Sequence, residues 1–360
     1  MNPALEWLLT AAIRAPSGDN TQPWRFEVDS AAGRLRFFVD ETRDPSPMNS
    51  GQRMARIGVG AALENLLRTA RANGWEAQFE AAQPPAVAVL RVQTVAGGSP
   101  QADRTIGERV TNRRTYDGHP VHEDVLARLK EQTPALDGVL TQWVVGRERL
   151  APLAEVIGRA DATMFGEPSM RRAFLKNVRF DAPPTAEVEQ GLSLASLEVS
   201  GSDRVALKMM RWMPNWLLHA AGGLKVFAAT ARRLVESAAG LCLVTGPDRL
   251  PPTDLAVGRA MQRAWLAMAG EGLAVQPMMS LPVLENALDN GTPELIGALG
   301  REKVQGLLDE TRRLAPEVGD GRLAYLMRFG YASAVSGRTG RLPLAAVVRE
   351  QAVSSGPVAG

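Results

Sequence analysis

The chain has 360 residues, with 41 Lys and Arg against 39 Asp and Glu, a formal net charge of +2. Its 45% hydrophobic and 22% charged residues are typical of a folded globular protein and exclude a disordered, collagen-like or coiled-coil chain. The balanced charge gives no electrostatic footprint for nucleic acid, and one cysteine with three histidines excludes an internal disulfide and a multi-cysteine zinc site.

The most apolar segments predict a reduced, cytoplasmic protein without a membrane role. The apolar stretch at residues 8–13 is short, lacks a preceding basic region and is not followed by a cleavage site, so no signal peptide is expected. Residues 213–229 are interrupted by Pro214, His219 and Lys225, unlike a span of about 18 apolar residues. We interpret this segment as a buried or lid-like helix; a membrane-surface role is the less favoured alternative.

The first part of the chain predicts a helix, a hairpin, a second helix and a strand. Asn2 and Pro3 are typical of a helix start, and leucines at helical spacing extend that helix over residues 4–14. Gly74 is typical of the end of a long helix. The predicted hairpin strands, long helix and final strand are residues 26–29, 34–39, 56–73 and 87–92.

The second part, after a linker at residues 96–101, alternates helices and strands. Residues 164–233 are the least regular third, rich in Met, Trp and Gly. We expect domains at residues 1–95 and 102–360, the second with a lid-like insertion at about 164–233. The predicted helices are residues 105–113, 123–132, 150–163 and 255–271, and the predicted strands are residues 141–145, 240–245 and 326–331.

Two segments of the chain are similar to each other. GAALENLLRTARANGWEAQF, from Gly60, aligns without a gap over 20 residues with GRAMQRAWLAMAGEGLAVQP, from Gly258. Gly74 coincides with Gly272, and in both copies an extended segment follows this glycine. The similarity predicts two related halves in one chain, an internal pseudo-dimer.

The sharpest local motif is the loop RAPSGDNTQPWRF, which follows the first helix. Its hydroxyl, amide and unhindered backbone groups suit a polyhydroxyl chain or a phosphate, and its prolines fix the backbone. The alternative is a polar turn that Trp24 anchors in the core. The candidate binding residues of this loop are Pro16, Ser17, Gly18, Asn20 and Gln22.

A second motif, RVTNRRTYDGHPV, contains three arginines with Thr and Asn within six residues. Guanidinium groups bind phosphate oxygens in pairs, and hydroxyl groups serve the remaining oxygens, so this cluster suits a phosphate. The alternative is a solvated basic turn. Its candidate binding residues are Arg109, Thr111, Asn112, Arg113 and Arg114.

Two later segments complete the set of candidates. GLAVQPMMS is apolar and extended, and Pro277, Met279 and Ser280 could offer backbone groups to a ligand; the alternative is core. RTGRLPL is a basic segment in which Arg338 and Arg341 could close on a phosphate; the alternative is a surface tail.

Together the four segments resemble the nitroreductase family of flavin enzymes. PSGDNTQPW matches the family's PSSxNxQPW loop, and TNRRTYDGHPV is similar to its RSxRxFxxxPV element. GLAVQPMMS resembles the segment that passes the flavin ring, and RTGRLPL resembles KxRLPL. Ordinary members are homodimers in which the QPW loop comes second and reaches the partner's site. Here it comes first, as in the single-chain, mycobacterial-type branch.

The resemblance implies an α+β, nitroreductase-like fold of two related halves, each with a mixed or antiparallel sheet flanked by helices. It implies one FMN between the halves, NAD(P)H as electron donor, a small electron-poor or conjugated substrate, and a monomer or weak homodimer. No catalytic side chain and no metal are expected. Two alternatives stay open: a protein that sequesters FMN in a sealed site, and a specialised biosynthetic flavin dehydrogenase or oxidase.

The resemblance also implies roles for the candidates. Arg109, Thr111, Asn112 and Arg113 would hold the FMN phosphate or ribityl chain, closed by Arg338 and Arg341. Arg114 would lie near the pyrimidine edge of the ring. The QPW-loop candidates would cover ring and ribityl, and Met279 or Ser280 would offer a backbone N–H to the hydride-accepting nitrogen.

Overall fold

The computed structural model describes residues 1–94, 100–183, 187–199 and 201–351. Most of the predicted linker at 96–101 therefore lies outside the described residues. The helices are α1 (Pro3–Ala12), α2 (Arg53–Ala72), α3 (Arg104–Glu108), α4 (Glu123–Gln132), α5 (Arg147–Gly166), α6 (Pro168–Asn177), α7 (Gly201–Met210), α8 (Asn215–Ala220), α9 (Gly223–Glu236), α10 (Pro251–Gly270), α11 (Ser280–Asn290), α12 (Pro293–Leu299) and α13 (Arg301–Leu314).

The strands form two larger sheets and one short pair, so the predicted α+β class is confirmed. The strands are β1 (Trp24–Asp29), β2 (Arg34–Val39), β3 (Glu76–Glu80), β4 (Ala88–Gln93), β5 (Leu140–Val145), β6 (Val178–Arg179), β7 (Leu192–Ser193), β8 (Gly240–Gly246), β9 (Ala274–Pro277), β10 (Arg322–Gly330) and β11 (Val348–Glu350).

The two larger sheets share one connectivity. The first has the order β11-β1-β2-β4-β3 and the second the order β5-β8-β10-β9. Each contains two strands, a 20-residue helix and two more strands in chain order, with α2 between β2 and β3 and α10 between β8 and β9. Neighbours are antiparallel, except that β11 is parallel to β1. The halves therefore repeat one topological unit.

The C-terminal strand does not follow the predicted domain division. β11 lies in the first sheet, although the sequence analysis assigns residues 102–360 to the second half. The largest hydrophobic core also joins both halves, since Trp24 and Phe37 belong to the same cluster as Trp265 and Phe329. The division into 1–95 and 102–360, and the internal pseudo-dimer, stay predictions.

Helices α2 and α10 cross at paired glycines. A Cβ atom on Gly60 would lie 2.9 Å from the Leu255 carbonyl carbon, and one on Gly258 would lie 2.9 Å from the Ile57 carbonyl carbon. The gapless alignment that equates Gly60 with Gly258 also equates Ile57 with Leu255. The contact is thus locally two-fold, and only glycine permits the backbones to approach so closely.

Both helices end in the same way. Gly74 and Gly272 have φ angles of +67° and +73°, in the left-handed region that favours glycine. Beyond them, Trp75 N–H donates to Ala70 O at 2.9 Å and Leu273 N–H donates to Met268 O at 2.9 Å. The predicted glycine caps are confirmed, and each cap turns the chain into the edge strand of its sheet.

Two expectations about secondary structure are wrong. The helix predicted at 105–113 ends at Glu108, because the chain then extends and Asn112 N–H donates to Val275 O at 2.9 Å beside β9. Residues 164–233, expected to be irregular, contain α6, α7, α8 and α9. No helix in the described parts of the chain is both long and apolar enough to cross a membrane.

We expect Gly258→Ala to destabilise the protein by about 1 to 3 kcal/mol, because the added methyl group would force α10 away from α2. Gly306→Ala in α13 is the matched control, since its Cβ would have no heavy atom within 4 Å. Alanine is the better helix former, so the control should be neutral or stabilising by up to about 1 kcal/mol. Urea unfolding measures both variants; equal effects would contradict the close-contact interpretation.

Candidate functional site

Two adjoining cavities lie where the QPW loop meets the arginine motif. The smaller, about 140 Å³, is lined mainly by polar groups, and the larger, about 360 Å³, mainly by apolar ones. Because they share lining residues, they form one site with a polar end and an apolar end. The shared residues are Pro16, Ser17, Asp19, Thr111, Arg113 and Leu192.

The QPW loop has an unusual backbone. Asp19, Asn20 and Gln22 have φ angles of +47°, +57° and +54°, a region that Asn and Asp tolerate better than most residues. Gln22 N–H donates to Ser17 Oγ at 2.9 Å, which closes the turn. Strained backbone of this kind persists where neighbouring structure fixes it and clusters at functional sites.

Two amides of the loop tie it to distant segments. Asn20 Nδ2 donates to Glu189 O at 3.2 Å and to Gly340 O at 3.3 Å. Gln22 is fully buried; its Nε2 donates to Glu189 O at 2.6 Å and its Oε1 accepts from Leu342 N–H at 2.9 Å. Gln22 does not line either cavity. It fixes the loop against the C-terminal segment.

The polar end is rich in guanidinium groups. It is lined by Arg14, Arg109, Arg113, Arg338 and Arg341. The Nε atoms of Arg109 and Arg341 are buried and have no hydrogen-bond partner among the described residues. Arg109 Nη2 donates to Arg14 O at 3.0 Å, and Arg341 Nη2 donates to Ala15 O at 2.9 Å.

Burial and like charge make these cations costly. Burial, then the charges of Arg341 and Arg338, lower the pKa of Arg109 to about 9. Burial, then the charge of Arg14, lower the pKa of Arg341 to about 10. An anion with several acceptor oxygens would relieve both the repulsion and the unpartnered N–H groups. The donor set therefore fits a phosphate group.

Arg113 and Asp19 lie where the two ends meet. Arg113 Nη1 donates to Ser196 O at 2.6 Å, and burial lowers the pKa of its guanidinium. Burial raises the pKa of Asp19 to about 6, while a hydrogen bond from Asn177 opposes that shift. The junction thus carries one cation and one carboxyl that burial pushes towards its neutral form.

The apolar end is built from both halves and from the insertion. α2 contributes Met54, Ile57 and Gly58, and α10 contributes Met261 and Trp265. The Arg109 guanidinium lies 4.6 Å from the Trp265 ring, which connects this wall to the polar end. The insertion closes the site with Phe165, Phe174, Ala231 and Leu234.

Pro277, Met279 and Ser280 line the apolar end, as β9 passes into α11. Ser280 is the first residue of α11, where backbone N–H groups have no partner within the helix. A helix start favours an acceptor or a partial negative charge. The segment can therefore offer backbone N–H groups to a ring in the cavity.

Two predicted candidates lie outside the lining of both cavities. Asn112 Nδ2 donates to Ser333 O at 2.9 Å, and its Oδ1 accepts from Arg114 N–H at 3.1 Å. The Arg114 guanidinium forms an ion pair with Glu198 at 3.2 Å and donates to Ser336 Oγ at 2.7 Å. With Gln22, these are the predicted site residues that the structure does not bring to the cavity.

The sequence analysis missed several lining residues. Arg14 and Asp19 lie inside the QPW motif and could have been included from it. Asp44, Asp161 and Trp265 carry no sequence signal, because only the packing of α5, α10 and the loop before α2 brings them to the apolar end.

Comparisons with known proteins address the resemblance. No family model matches the chain. It is 27% identical over 319 residues, 83% of this chain and 42% of the relative, to "Uncharacterized protein MT1398" of Mycobacterium tuberculosis. It is 29% identical over 151 residues, 40% of this chain and 42% of the relative, to "Putative NAD(P)H nitroreductase Rv3131" of Mycobacterium tuberculosis. The predicted resemblance to nitroreductases is confirmed. The matches span less than half the length of these relatives.

Solved structures give weaker overlap. The FMN-dependent nitroreductase NfnB of Mycobacterium smegmatis, in complex with NADPH, has a TM-score of 0.37 at 20% identity and covers 68% of this chain and 96% of its own. A Bacteroides fragilis nitroreductase with bound FMN has a TM-score of 0.34 at 14% identity and covers 71% of this chain and 95% of its own. Both TM-scores are low, and the α+β class rests on the connectivity of the two sheets.

Asp161 gives the apolar end a pH dependence. Burial raises its pKa from 3.8 to about 6, and the Ser280 hydroxyl offsets part of that shift. The folded state therefore binds this proton more tightly than the unfolded state, and its stability falls as pH rises from about 4 to 6. We expect Asp161→Asn, which cannot ionise, to be more stable than the parent at pH 7 by about 1 to 2 kcal/mol and similar at pH 4.

Urea unfolding at a series of pH values measures this effect. Asp320→Asn, at an exposed position, is the matched control and should follow the parent at every pH. Parallel pH profiles for the parent and Asp161→Asn would show that Asp161 is not held as a buried acid.

Proposed function

We propose that the chain is an FMN-dependent oxidoreductase that passes hydride from NAD(P)H to an electron-poor or conjugated small molecule. The observation that carries this proposal is the joined site, whose guanidinium-lined polar end continues into an apolar end. A phosphate on a polyhydroxyl chain attached to a flat apolar ring has the same sequence of chemistries. The similarity to a relative named as an NAD(P)H nitroreductase supports it.

The residues at the polar end fit the phosphate of FMN. Arg109 and Arg341 have buried N–H groups without described partners, and Arg113 and Arg338 line the same cavity. In the proposal these four bind the phosphate, and the hydroxyl of Thr111 serves the neighbouring ribityl chain. Asn112 keeps the chain beside β9 in place through its bond to Ser333 and does not reach the cavity.

The apolar end would bind the flavin ring. Pro16, Ser17 and Gly18 would cover it from the QPW loop, and Met279 and Ser280 would offer backbone N–H groups from the start of α11. When bound, FMN supplies reversible two-electron hydride chemistry. The contact of Arg114 with the pyrimidine edge stays a prediction, and its ion pair with Glu198 does not support it.

The chain's own contribution is position, charge and exclusion of water. The aromatic side chains of Phe165 and Phe174 wall the apolar end, and Phe227 stacks on Phe165 at 4.9 Å between ring centroids. The Cys242 thiol is buried in β8, and burial raises its pKa, so it is not poised as a nucleophile. This fits hydride transfer without a covalent protein intermediate.

One chain would complete one site. The lining residues come from the QPW loop, α2 and the arginine motif, all on the same polypeptide. We therefore propose a cytoplasmic protein that acts as a monomer or weak homodimer on a small molecule. Light scattering should give the mass of one chain at dilution. An FMN content that falls as the protein is diluted to monomers would contradict the single-chain site.

We expect Arg109→Met and Arg341→Met each to weaken FMN binding by about ten- to a hundredfold, because each removes charged hydrogen bonds to the phosphate. Arg114→Gln is the matched control, since its guanidinium lies outside the cavity lining and should leave FMN affinity unchanged. Quenching of FMN fluorescence by the flavin-free protein measures all three. A uniform effect, or none, would contradict the phosphate assignment.

Turnover decides between the proposed reductase and its alternatives. The purified protein should show a flavin absorption band and oxidise NADH or NADPH in the presence of a nitroaromatic or quinone. Tight FMN binding without oxidation of either donor would favour the sequestering alternative. Reduction of the bound flavin by an organic substrate instead would favour the biosynthetic dehydrogenase or oxidase. Lack of any flavin binding would exclude all three.

A further inference from the structure

The insertion presents large apolar side chains to solvent. The side chain of Trp212, just after α7, is 81% exposed, and that of Trp216, in α8, is 71% exposed. By contrast, Trp24, Trp143 and Trp265 are buried. Contiguous exposed apolar surface in a folded chain marks an interaction site. The other exposed large apolar residues of the insertion are Val205, Met209, Leu217 and Val226.

Helix α7 has two apolar sides. Leu207 and Met210 pack against a small core cluster that includes Phe180. Val205 and Met209, four residues apart, lie on the opposite side of the helix and are exposed. The inner side accounts for the folding of α7, and the outer side is left to a partner.

The charge of this segment is one-sided. Residues 204–235 contain six Lys and Arg and no Asp or Glu, whereas the whole chain carries only +2. Lys208, Arg211, Lys225 and Arg233 are exposed, and the Arg211 guanidinium lies 5.5 Å from the Trp212 ring. Arg232 is the exception, since it forms an ion pair with Glu155 at 2.8 Å. The insertion therefore combines exposed indoles with concentrated positive charge.

We propose that the face formed by α7, α8 and α9 docks on an anionic lipid bilayer. The exposed indoles and aliphatic side chains would enter the interfacial layer, where Trp is enriched, while the lysines and arginines remain at the headgroups. Each cation near an anionic surface contributes about 1 kcal/mol. The docking is peripheral and needs no membrane-spanning helix.

Charge favours the bilayer over a second copy of the chain. In a symmetric dimer the same patch meets itself, so its cations would face one another across the interface. Nucleic acid would satisfy the cations but not the exposed Val205 and Met209. The structure thus reverses the preference of the sequence analysis, which interpreted residues 213–229 as a buried or lid-like segment.

The same insertion also walls the proposed flavin site. Thr230, Ala231 and Leu234 of α9 line the apolar cavity, while Val226 and Lys225 of α9 are exposed. One helix therefore joins the docking face to the cavity. The proposal does not rest on flavin binding, because it stands on exposure and charge alone.

Vesicle flotation with the full chain tests the proposal. We expect the protein to float with vesicles of phosphatidylglycerol and phosphatidylcholine, to stay below with pure phosphatidylcholine, and to be released by high salt. The tryptophan emission should shift to the blue on binding, since the exposed indoles leave water. Absence of flotation with anionic vesicles at low salt would overturn the proposal.

Two double variants separate charge from apolar contact. Lys208→Glu with Arg211→Glu should lower the bound fraction at least about tenfold, because two attractive charges become repulsive. Trp212→Ser with Trp216→Ser should lower binding and abolish the blue shift. The matched charge control is Arg301→Glu with Lys303→Glu on α13, which changes the net charge equally at exposed positions.

The controls also expose the competing explanations. Equal loss of binding in the α13 control would show that net charge alone governs the effect and would overturn the assignment to this face. A dimer in light scattering that only the tryptophan variant dissociates would assign the face to a second copy instead. Circular dichroism of each variant checks that the fold is retained, and the α13 pair keeps the comparison valid if one variant misfolds.

Discussion

The close crossing of α2 and α10 is the contact on which the rest of the molecule depends. Gly60 and Gly258 allow each backbone to pass over the other at a distance that any side chain would prevent. The crossing brings the two sheets together around one core, to which α10 contributes Trp265 and the first sheet contributes Trp24. The site described above lies against the same two helices.

Polar contacts flank the glycine crossing and restrict its register. Arg56 Nη2 lies 2.7 Å from Asp254 Oδ2, and Glu64 pairs with Arg259 at 3.1 Å and with Arg263 at 2.6 Å. Pairs as buried as these add little net stability, because both charges lose water, but a shifted register would leave them unpaired at high cost. We infer that they select one alignment of the helices, and with it one position of Gly58 beside the QPW loop.

The site inherits its chemistry from this arrangement. The QPW loop, the arginine motif and the RTGRLPL segment are far apart in sequence, yet each places arginines or amides around one cavity. Bringing Arg14, Arg109 and Arg341 together costs desolvation and repulsion, which lower the pKa values of Arg109 and Arg341. Such a cost is typical of a site that is completed by an anion rather than by the protein itself.

The sequence by itself determined what depends on neighbouring residues: the Asn2 cap of α1, the glycine ends of α2 and α10, most strands, and the motifs whose residues line the cavity. It failed where distant contacts decide. The helix predicted at 105–113 ended early because Val275 offered a strand-like partner, and Arg114 turned from the cavity because Glu198, 84 residues away, paired with it. The acid at Asp161 and the exposure of Trp212 likewise have no local signal. Burial and charge pairing are properties of the packed chain, so only the tertiary structure could assign them.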